Sequence, residues 1–373
     1  MAPKIIDLYS GIGGLGLSAA RSGFELALSV DNDPILSKVH EVNFPRCPHF
    51  QSDVSNLTGS TLLAKARVNG NGLAGLIGGS PCQGFSRAGK RDKSDVRNLL
   101  FVHFFRLVSE ALPRFFLAEN VQGILDTQNK ELVTTALSLV RQNYEVLDPF
   151  ELNAADFGAA TNRKRVFFFG YLRENGKEIS LADFQTGTWK STTTVELALS
   201  GLPQKLKGTW TTDKAGWRTL RTKRKGKFWS KIYSEVPTDI GDPATIKKLV
   251  DDWSVSGCIA TRHSETVVER FETVPEGGTD AVSRMPRLER NGLCPTLRAG
   301  TGKDKGSYQA LRPIHFSEHR VITPREAARL QGFPDWFRFH KTKWHSFRGI
   351  GNSVSPFVGE AVLKIIVRKL ELS

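Results

Sequence analysis

Short apolar runs alternate with longer amphipathic stretches through the first half of the chain. The apolar runs typical of buried strands lie at 4–10, 24–31, 72–79, 114–121, 144–153 and 165–172. Apolar residues recur at helical spacing in 98–112 and 130–143, and a glycine-rich turn opens another predicted helix within 11–23. Regular alternation of strands and helices predicts an α/β fold with a doubly wound, mostly parallel sheet.

The pattern changes after about residue 185, where Thr, Lys, Gly and Trp dominate and regular periodicity fades. Further on, Thr323 is followed three positions later by Glu326, which is a signature of a helix N-terminus. A long amphipathic stretch near the end of the chain is expected to pack back on the first domain. The predicted organisation is a domain at 1–185, a smaller irregular domain at 186–323, a hinge at 324–350 and a returning helix at 351–373.

The composition is that of a soluble globular protein of roughly two domains, with 373 residues, 39% apolar and 24% charged. No apolar run approaches the ~18 residues that a membrane span needs, and the N-terminus lacks the pattern of a secretory signal. The four cysteines are far apart and form no CxxC pair, which argues against a zinc site and a disulfide scaffold. These features predict an intracellular, cytoplasmic protein with no bound metal.

The net charge of +14 favours a polyanionic partner. The charge is concentrated in 205–231, which holds ten Lys or Arg residues against one Asp. Four aromatic residues are interleaved with these cations: Trp210, Trp217, Phe228 and Trp229. On charge alone, a nucleic-acid contact and an ordinary solvated basic surface both remain open.

A glycine loop follows the first predicted strand and opens the first predicted helix. Gly11, Gly13 and Gly16 have the spacing of a dinucleotide-binding fingerprint, and Asp31 lies twenty residues past Gly11 at the end of the second strand. Glycines let a ligand approach the backbone, and a carboxylate there can accept hydrogen bonds from ribose hydroxyls. The loop therefore predicts an adenosine-containing cofactor, with NAD and S-adenosylmethionine as candidates and a tight turn without ligand as the alternative.

Cys82 and Glu119 follow the carboxyl ends of two predicted strands, and parallel sheets bind their ligands at that edge. Pro81 stiffens the approach to the cysteine, while Arg87 and Lys90 supply positive charge that favours a thiolate. A nucleophile and an acid facing the cofactor crevice are thus predicted. A buried thiol that only fills space and a structural glutamate are the alternatives.

Taken together, these segments resemble the DNA (cytosine-5)-methyltransferase family over nearly the whole chain. The family's ordered blocks stand here as DLYSGIGGLGLSAARSGF at 7–24, SVDNDP at 29–34, SDV at 52–54, GGSPCQGFS at 78–86, AENV at 118–121, TNRKR at 161–165, REAARLQGFPDWF at 325–337 and GNSVSPFVGEAV at 351–362. Four positions depart from the usual pattern. Thr161 replaces a glutamine and Ala160 a proline, while Tyr9 replaces a frequent phenylalanine and Asn32 stands where some members have tryptophan.

The resemblance implies a Rossmann-like catalytic domain that transfers a methyl group from S-adenosylmethionine to carbon 5 of cytosine and releases S-adenosylhomocysteine. Cys82 would form a covalent adduct with the ring, and Glu119 would hold or protonate its N3. Arg165 would pair with the O2 side, and Arg163 would neutralise the nearby phosphate or ring carbonyl. The cofactor contacts implied are Asp7, Tyr9, Gly11, Gly13, Gly14, Leu15, Asp31, Asn32, Asp53, Val54, Ser80, Pro81, Leu100, Asn352 and Ser353.

A cytosine inside a duplex cannot reach a thiolate in a crevice, so the target is expected to be flipped out of double-stranded DNA. The loop 84–97 would close over it, with 186–323 as the target-recognition domain, in which Thr296-Leu297 resembles a family element. Expected DNA contacts are Gln83, Ser86, Arg87, Lys90, Arg97, Lys223, Arg224, Lys225, Arg287 and Arg298. A monomer in a restriction-modification system, with a cognate endonuclease as functional partner, is expected.

Three other functions remain possible. A cytosine-5 methyltransferase acting on tRNA shares the fold, but its Cys-Phe-Thr element is absent from the recognition region here. A DNA-binding regulator without activity would have no need of Cys82, Glu119 and Arg165. An NAD-linked oxidoreductase would need a hydride-transfer site, and no residue outside the glycine loop suggests one.

Overall fold

An eight-stranded sheet forms the centre of the first half of the chain. The computed structural model describes residues 2–69, 72–81, 99–173, 178–299 and 311–372. In chain order the strands are β1 Lys4–Leu8, β2 Glu25–Asp31, β3 His49–Gln51, β4 Leu73–Gly79, β5 Phe115–Asn120, β6 Tyr144–Val146, β7 Phe150–Asn153, β8 Thr161–Asn162, β9 Lys164–Leu172, β10 Arg218–Thr219, β11 Ser254–Val255 and β12 Cys294–Pro295. The sheet runs in the order β3-β2-β1-β4-β5-β9-β6, and β7 also pairs with β9. The first five strands of this order are parallel and β9 is antiparallel to its neighbours, so the predicted mostly parallel sheet is confirmed.

Helices cover both faces of the sheet. In chain order they are α1 Gly14–Arg21, α2 Pro34–Asn43, α3 Gly59–Ala66, α4 Leu99–Ala111, α5 Lys130–Ser138, α6 Val195–Leu199, α7 Lys227–Tyr233, α8 Pro243–Asp251, α9 Glu265–Glu272, α10 Pro324–Gln331, α11 Lys343–Asn352 and α12 Pro356–Leu370. Successive strand residues point to opposite faces, so Phe115 joins the core with α1 and α12, whereas Phe116 joins the core with α3, α4 and α5. Both layers bury the sheet, as a doubly wound fold requires.

The region 144–153, predicted as one strand, forms two. β6 and β7 both pair with β9, but Val146 lies opposite Gly170 and Phe150 opposite Phe167. Four residue steps on one strand therefore match three on the other, which makes a bulge. Pro149 lies in that bulge, where its missing N–H costs no ladder hydrogen bond.

The helix predicted at 130–143 ends earlier, at Ser138. The following residues turn the chain back to the sheet, and the N–H of Tyr144 donates to the carbonyl of Val140 in that turn. Since Tyr144 opens β6 and is fully buried, the helix has to end several residues before it.

The end of the chain lies against the sheet layer. Thr323 and Glu326 form a capping box at the start of α10, in which each side chain accepts from the other residue's N–H. The last helix, α12, packs on α1, and the Ser18 hydroxyl donates to the carbonyls of Gly14 and Pro356. A Cβ on Gly359 would lie 2.4 Å from that hydroxyl oxygen, so this close approach of the helices requires glycine.

Among the described residues, one stretch has the length and hydropathy of a membrane-spanning helix. It covers Lys343–Leu370, which comprises α11 and α12, and 72% of its most apolar window is buried inside the protein.

Candidate active site

The glycine loop after β1 is held by the acid at the end of β2. Gly11 and Gly13 have φ angles of 55° and 96°, a region that favours glycine. The Asp31 carboxylate accepts hydrogen bonds from the N–H groups of Gly11 and Asp33, each at 2.8 Å. Burial raises the pKa of Asp31, and these two N–H groups oppose that shift. The loop and the acid therefore form one preorganised unit.

Residues from the end of the chain close one side of this loop. A Cβ on Gly14 would lie 2.5 Å from the Val354 carbonyl oxygen and 3.0 Å from the Ser353 Cβ. Ser353 therefore lies against the loop, and Asn352 beside it is exposed. Arg348 on the same helix pairs with Asp33 at 2.6 Å, two residues beyond Asp31. Arg348 was not among the residues predicted for the site. The only signal for it in the sequence was the second aspartate, Asp33, which follows Asp31 by two positions and needs a cationic partner.

The other predicted cofactor residues lie around the carboxyl ends of β1, β2 and β4. Tyr9 has a φ of 56° and its hydroxyl donates to the Leu100 carbonyl at 2.7 Å, which joins the loop to the start of α4. The exposed Asp53 caps the short turn that begins at Val54. Of the other residues in this group, Asn32 is exposed and Pro81 is half-buried. Gly13, Leu15 and Ser80 are buried.

Asp7 departs from the expectation of a cofactor contact, because its side chain is enclosed beneath the loop. The residue is 1% exposed, and among the described residues the Gly16 N–H is the one hydrogen-bond donor close enough to act on its carboxyl, where it lowers the pKa. Burial raises the pKa of Asp7 well above its usual value, and the nearby Asp31 carboxylate raises it further. A Cβ on Gly16 would lie 3.2 Å from the Asp7 carboxyl, so the first helix covers it directly. The structure makes Asp7 part of the foundation of the loop.

Glu119 lies at the carboxyl end of β5 and forms an ion pair with Arg165 of β9. Its Oε1 is 2.9 Å from the Arg165 Nε, and the two side chains are 8% and 13% exposed. Burial raises the pKa of Glu119, while Arg165 and then Arg163 oppose that shift. The Glu119 carboxyl also lies over β4, since a Cβ on Gly79 would be 3.0 Å from its Oε2.

Asn120 connects this strand end to the segment that leads into Cys82. Its side-chain amide donates to the Ser80 hydroxyl at 3.0 Å, and its carbonyl accepts from the Val121 N–H. The Asn120 side chain therefore fixes Ser80, two residues before the cysteine. Cys82 itself lies outside the described residues, as do Gln83, Ser86, Arg87, Lys90 and Arg97.

Arg163 is 2% exposed and lies where the catalytic half meets the recognition region. One of its guanidinium nitrogens donates to the Leu297 carbonyl at 3.3 Å. The neighbouring strands β8 and β12 pair in parallel, with Thr161 opposite Cys294 and Asn162 beside Pro295. The sequence blocks containing these residues are more than 100 positions apart, and the fold brings them together.

The predicted DNA-reading residues fall into two groups. Lys223, Arg224, Lys225 and Arg298 are exposed. Arg287 is 5% exposed, and its guanidinium donates to the carbonyls of His315 and Glu318 inside the protein. The structure therefore does not support Arg287 as a reader of guanine, because it is buried and both terminal nitrogens of its guanidinium donate to backbone carbonyls.

The described ranges contain no group of three or more His, Cys, Asp or Glu side chains placed to bind a metal ion. With the geometry established, comparison with known proteins identifies the family. The family model for C-5 cytosine-specific DNA methylases matches residues 3–368. This chain belongs to the C-5 cytosine-specific DNA methylase family. It is a DNA cytosine-5 methyltransferase of the Type II restriction-modification type, whose methyl donor is S-adenosylmethionine.

Relatives of this DNA methylase match it along most of their length. It is similar to Type II methyltransferase M.XorII of Xanthomonas oryzae pv. oryzae, with 37% identity over 374 residues that cover 99% of this chain and 85% of the relative. Type II methyltransferase M1.HphI of Haemophilus parahaemolyticus is 29% identical over 385 residues, covering 99% and 87%.

Solved structures are also similar to this chain. A protein described as a DNA modification methyltransferase encoded within an E. coli prophage is 45% identical, with a TM-score of 0.88 and 99% of each chain covered. The S. pombe Dnmt2 methyltransferase has a TM-score of 0.60 at 18% identity, covers 98% of each chain and shares the fold.

Proposed function

We propose that this DNA methyltransferase acts on a cytosine flipped out of duplex DNA, through a covalent adduct with Cys82, and that it protects DNA from a cognate endonuclease. The observation that carries the proposal is the Glu119–Arg165 pair at the edge of the sheet. Glu119 lies over Gly79, and the Asn120–Ser80 hydrogen bond fixes the segment that leads directly into Cys82. Glu119, Arg165 and the segment that leads into Cys82 therefore lie together at the same edge of the sheet.

Cys82 would activate the substrate. Carbon 5 of cytosine is a weak nucleophile, and addition of a thiolate to carbon 6 places the electron pair on carbon 5 as an enamine. Carbon 5 then takes the methyl group, the proton on carbon 5 is removed, and the thiolate leaves carbon 6 to restore the aromatic ring. S-Adenosylmethionine, when bound, supplies the electrophilic methyl group.

Glu119 and the two arginines would stabilise the ring during addition. Because burial raises the pKa of Glu119, the neutral acid that can donate to N3 persists to a higher pH than for an exposed glutamate. Arg165, 2.9 Å from Glu119, would pair with the O2 side of the same ring. Arg163 would add positive charge from behind, where it is held by the Leu297 carbonyl.

The glycine loop fits an adenosine-containing donor. No atom of the described residues lies within 4 Å of the Cβ position of Gly11, so a ligand can approach the backbone there. Asp31 is half-buried at the same point and can accept hydrogen bonds from ribose hydroxyls. We assign the remaining contacts with the methyl donor to Tyr9, Asn32, Asp53, Pro81, Leu100, Asn352 and Ser353.

Duplex DNA would lie against the exposed basic residues. Lys223, Arg224 and Lys225 would contact phosphates, and Arg298 lies directly beyond the segment that touches Arg163. Flipping a base costs a few kcal/mol. By closing over the extruded nucleotide, the loop 84–97 would offset part of that cost. The region 186–323 would act as the target-recognition domain.

The covalent step is tested with an oligonucleotide that carries 5-fluorocytosine at the target position, incubated with S-adenosylmethionine. Fluorine cannot leave as a proton does, so the adduct through residue 82 should accumulate and be visible by denaturing electrophoresis and peptide mass spectrometry. The variant Cys82→Ser should form none and yet bind the donor within about twofold of wild type.

The matched control is Cys258→Ala, which removes a buried thiol whose pKa burial raises, and it should retain adduct formation. Absence of an adduct on the target that bisulfite sequencing of DNA from expressing cells identifies would refute the covalent mechanism. So would an adduct mapped to another cysteine.

A further inference from the structure

Four hydrogen bonds join the segment 160–163, which carries the first catalytic arginine, to the segment 294–297 of the recognition region. We call these contacts the catalytic ladder. The Cys294 N–H donates to the Ala160 carbonyl at 2.9 Å, and the Thr161 hydroxyl donates to the Cys294 carbonyl at 3.0 Å. The other two rungs run from the Thr296 hydroxyl to the Asn162 carbonyl at 2.7 Å and from Arg163 to the Leu297 carbonyl at 3.3 Å.

The ladder lies on one side of the strand that leads to Arg165. On the other side, β7 pairs with the same strand, and Leu152 lies opposite Arg165. The Ala154 N–H also donates to the Arg163 carbonyl at 2.9 Å. The segment that carries Arg163 and Arg165 is therefore held by β7 of its own domain on one edge and by the segment 294–297 on the other.

Threonine side chains supply two of the four rungs, and each hydroxyl reaches a backbone carbonyl of the facing segment. Thr161 is fully buried, so its hydroxyl has no access to water. A buried hydroxyl fixed in this way holds the backbone in one register, because any shift would leave it and its carbonyl unpaired. Residue 161 is also the position where this chain departs from the glutamine usual in its family.

The recognition end of the ladder continues into an exposed arginine. Arg298 follows Leu297 directly, and its carbonyl accepts from the Leu311 N–H at 3.2 Å. A Cβ on Gly351 would lie 2.9 Å from the Ala299 nitrogen, so this segment is also clamped against α11. Movement of Arg298 would therefore be transmitted to a segment that is itself fixed to Arg163.

We infer that Thr161 is a positioning residue, which fixes Arg163 and Arg165 beside Glu119 by tying their strand to the segment 294–297, which leads into the predicted DNA contact Arg298. The inference rests on the proposed function of those arginines. Thr161 is fully buried and its hydroxyl is bonded to the Cys294 carbonyl, so it would act through the arginines that follow it. Thr296 performs the reciprocal task from the recognition side.

The test compares Thr161→Val with Thr161→Ser in single-turnover methylation of a duplex containing the target, at saturating DNA and donor. Thr161→Val keeps the shape and removes one hydroxyl, and the rate should fall about tenfold, as expected for one lost buried hydrogen bond. Thr161→Ser should restore it to within about twofold. Dissociation constants for the duplex and for S-adenosylmethionine should change less than twofold in both variants.

Thr296→Val tests the ladder from its other end and should show the same loss of rate at saturation. Thr245→Val is the matched control, since it removes a buried hydroxyl that bonds only within its own helix cap, to Asp242. It should leave the methylation rate within about twofold.

If the wild type is active and Thr161→Val methylates at the same rate, the inference is overturned. It is also overturned if Thr161→Ser is as slow as Thr161→Val. A loss seen only as weaker DNA binding, with a normal rate at saturation, also overturns it. An inactive wild type that forms no Cys82 adduct overturns the proposed function and the inference together, which separates the two failures.

Discussion

At the scale of single residues, Glu119 shows how a sheet edge prepares a carboxyl group for acid chemistry. Glu119 is only 6% exposed, and this burial raises the pKa of its carboxyl group, whereas Arg165 and Arg163 lower that pKa. Burial is the larger effect, so the balance favours the neutral form relative to an exposed glutamate. In the proposed mechanism, the same arginines would pair with the cytosine ring once it lies beside Glu119.

The first prediction concerns Glu119→Gln. Activity that depends on the neutral acid is present below the pKa of Glu119 and is lost as the pH rises through it, so the wild type should show an alkaline limb. Glutamine cannot ionise or donate a proton, so the rate should fall about 10²–10³-fold and that limb should vanish. DNA affinity should change less than about threefold.

Single-turnover rates between pH 5 and pH 9 provide the measurement for Glu119→Gln, with the DNA dissociation constant determined in parallel. Retention of the alkaline limb in the variant would assign it to another group. A larger loss in DNA binding than in rate would make Glu119 a binding residue.

At the scale of elements, the basic-aromatic stretch 205–231 divides into an inner and an outer part. Phe228 and Trp229 of α7 are buried in the main core. Arg218 stacks on Trp210 at 3.0 Å from its ring centre, and Lys248 lies 4.2 Å above Trp217. These aromatic residues therefore hold the domain together. The cations at 223–225 between them are exposed, with Lys223 4.4 Å from the ring centre of Trp253, and they are the proposed phosphate contacts.

The second prediction concerns the triple variant Lys223→Gln, Arg224→Gln and Lys225→Gln. Each phosphate contact contributes about 0.9 to the slope of log affinity against log salt, so the slope should flatten by up to about 2.7. Binding titrations of a target duplex between low and physiological salt give the slope.

A variant with Lys38, Lys65 and Lys130 changed to Gln is the control for the triple variant, because those exposed lysines lie on helices of the catalytic half and remove the same charge. Its slope should stay close to that of the wild type. Equal flattening in both variants would show a net-charge effect and exclude 223–225 from the interface.

At the scale of the whole molecule, one buried carboxylate connects three helices that are far apart in sequence. Glu360 of α12 lies 2.7 Å from the Lys231 ammonium of α7 and 4.0 Å from the Arg21 guanidinium of α1. Arg21 and Glu360 are 2% and 3% exposed at their side chains. Helix α7, predicted to lie in the recognition domain, is thereby anchored to the catalytic layer, and its Trp229 shares the core that contains Phe115.

The third prediction is that Glu360→Gln lowers the free energy of unfolding by about 3–5 kcal/mol, because it removes the buried carboxylate beside Arg21 and one of the two carboxylates that pair with Lys231. Asp251→Asn removes a partner of the exposed Lys247–Asp251 pair and should cost less than about 0.5 kcal/mol. Chemical denaturation followed by circular dichroism measures both. A loss below about 1 kcal/mol for Glu360→Gln would mean that water or neighbouring groups compensate the cations.

Much of the catalytic half could be predicted from the sequence because its signals are local. Apolar periodicity placed the strands that carry Asp31, Gly79 and Glu119, since each strand buries its own residues. The capping box of Thr323 and Glu326 needs only four consecutive residues. The bulge at Pro149 was missed because it depends on the register of two strands against β9.

The sequence by itself determined the chemistry available: a glycine loop with its acid, one cysteine in a stiff turn, and an excess of positive charge. The tertiary structure alone decided which of those groups face solvent and which meet. Arg287 and Arg298 lie in the same arginine-rich stretch of the sequence. Arg287 is nevertheless buried and donates to backbone carbonyls, whereas Arg298 is exposed. The catalytic ladder joins residues more than 100 positions apart, and no periodicity or spacing encodes such a contact, because it forms only when both halves of the chain have folded.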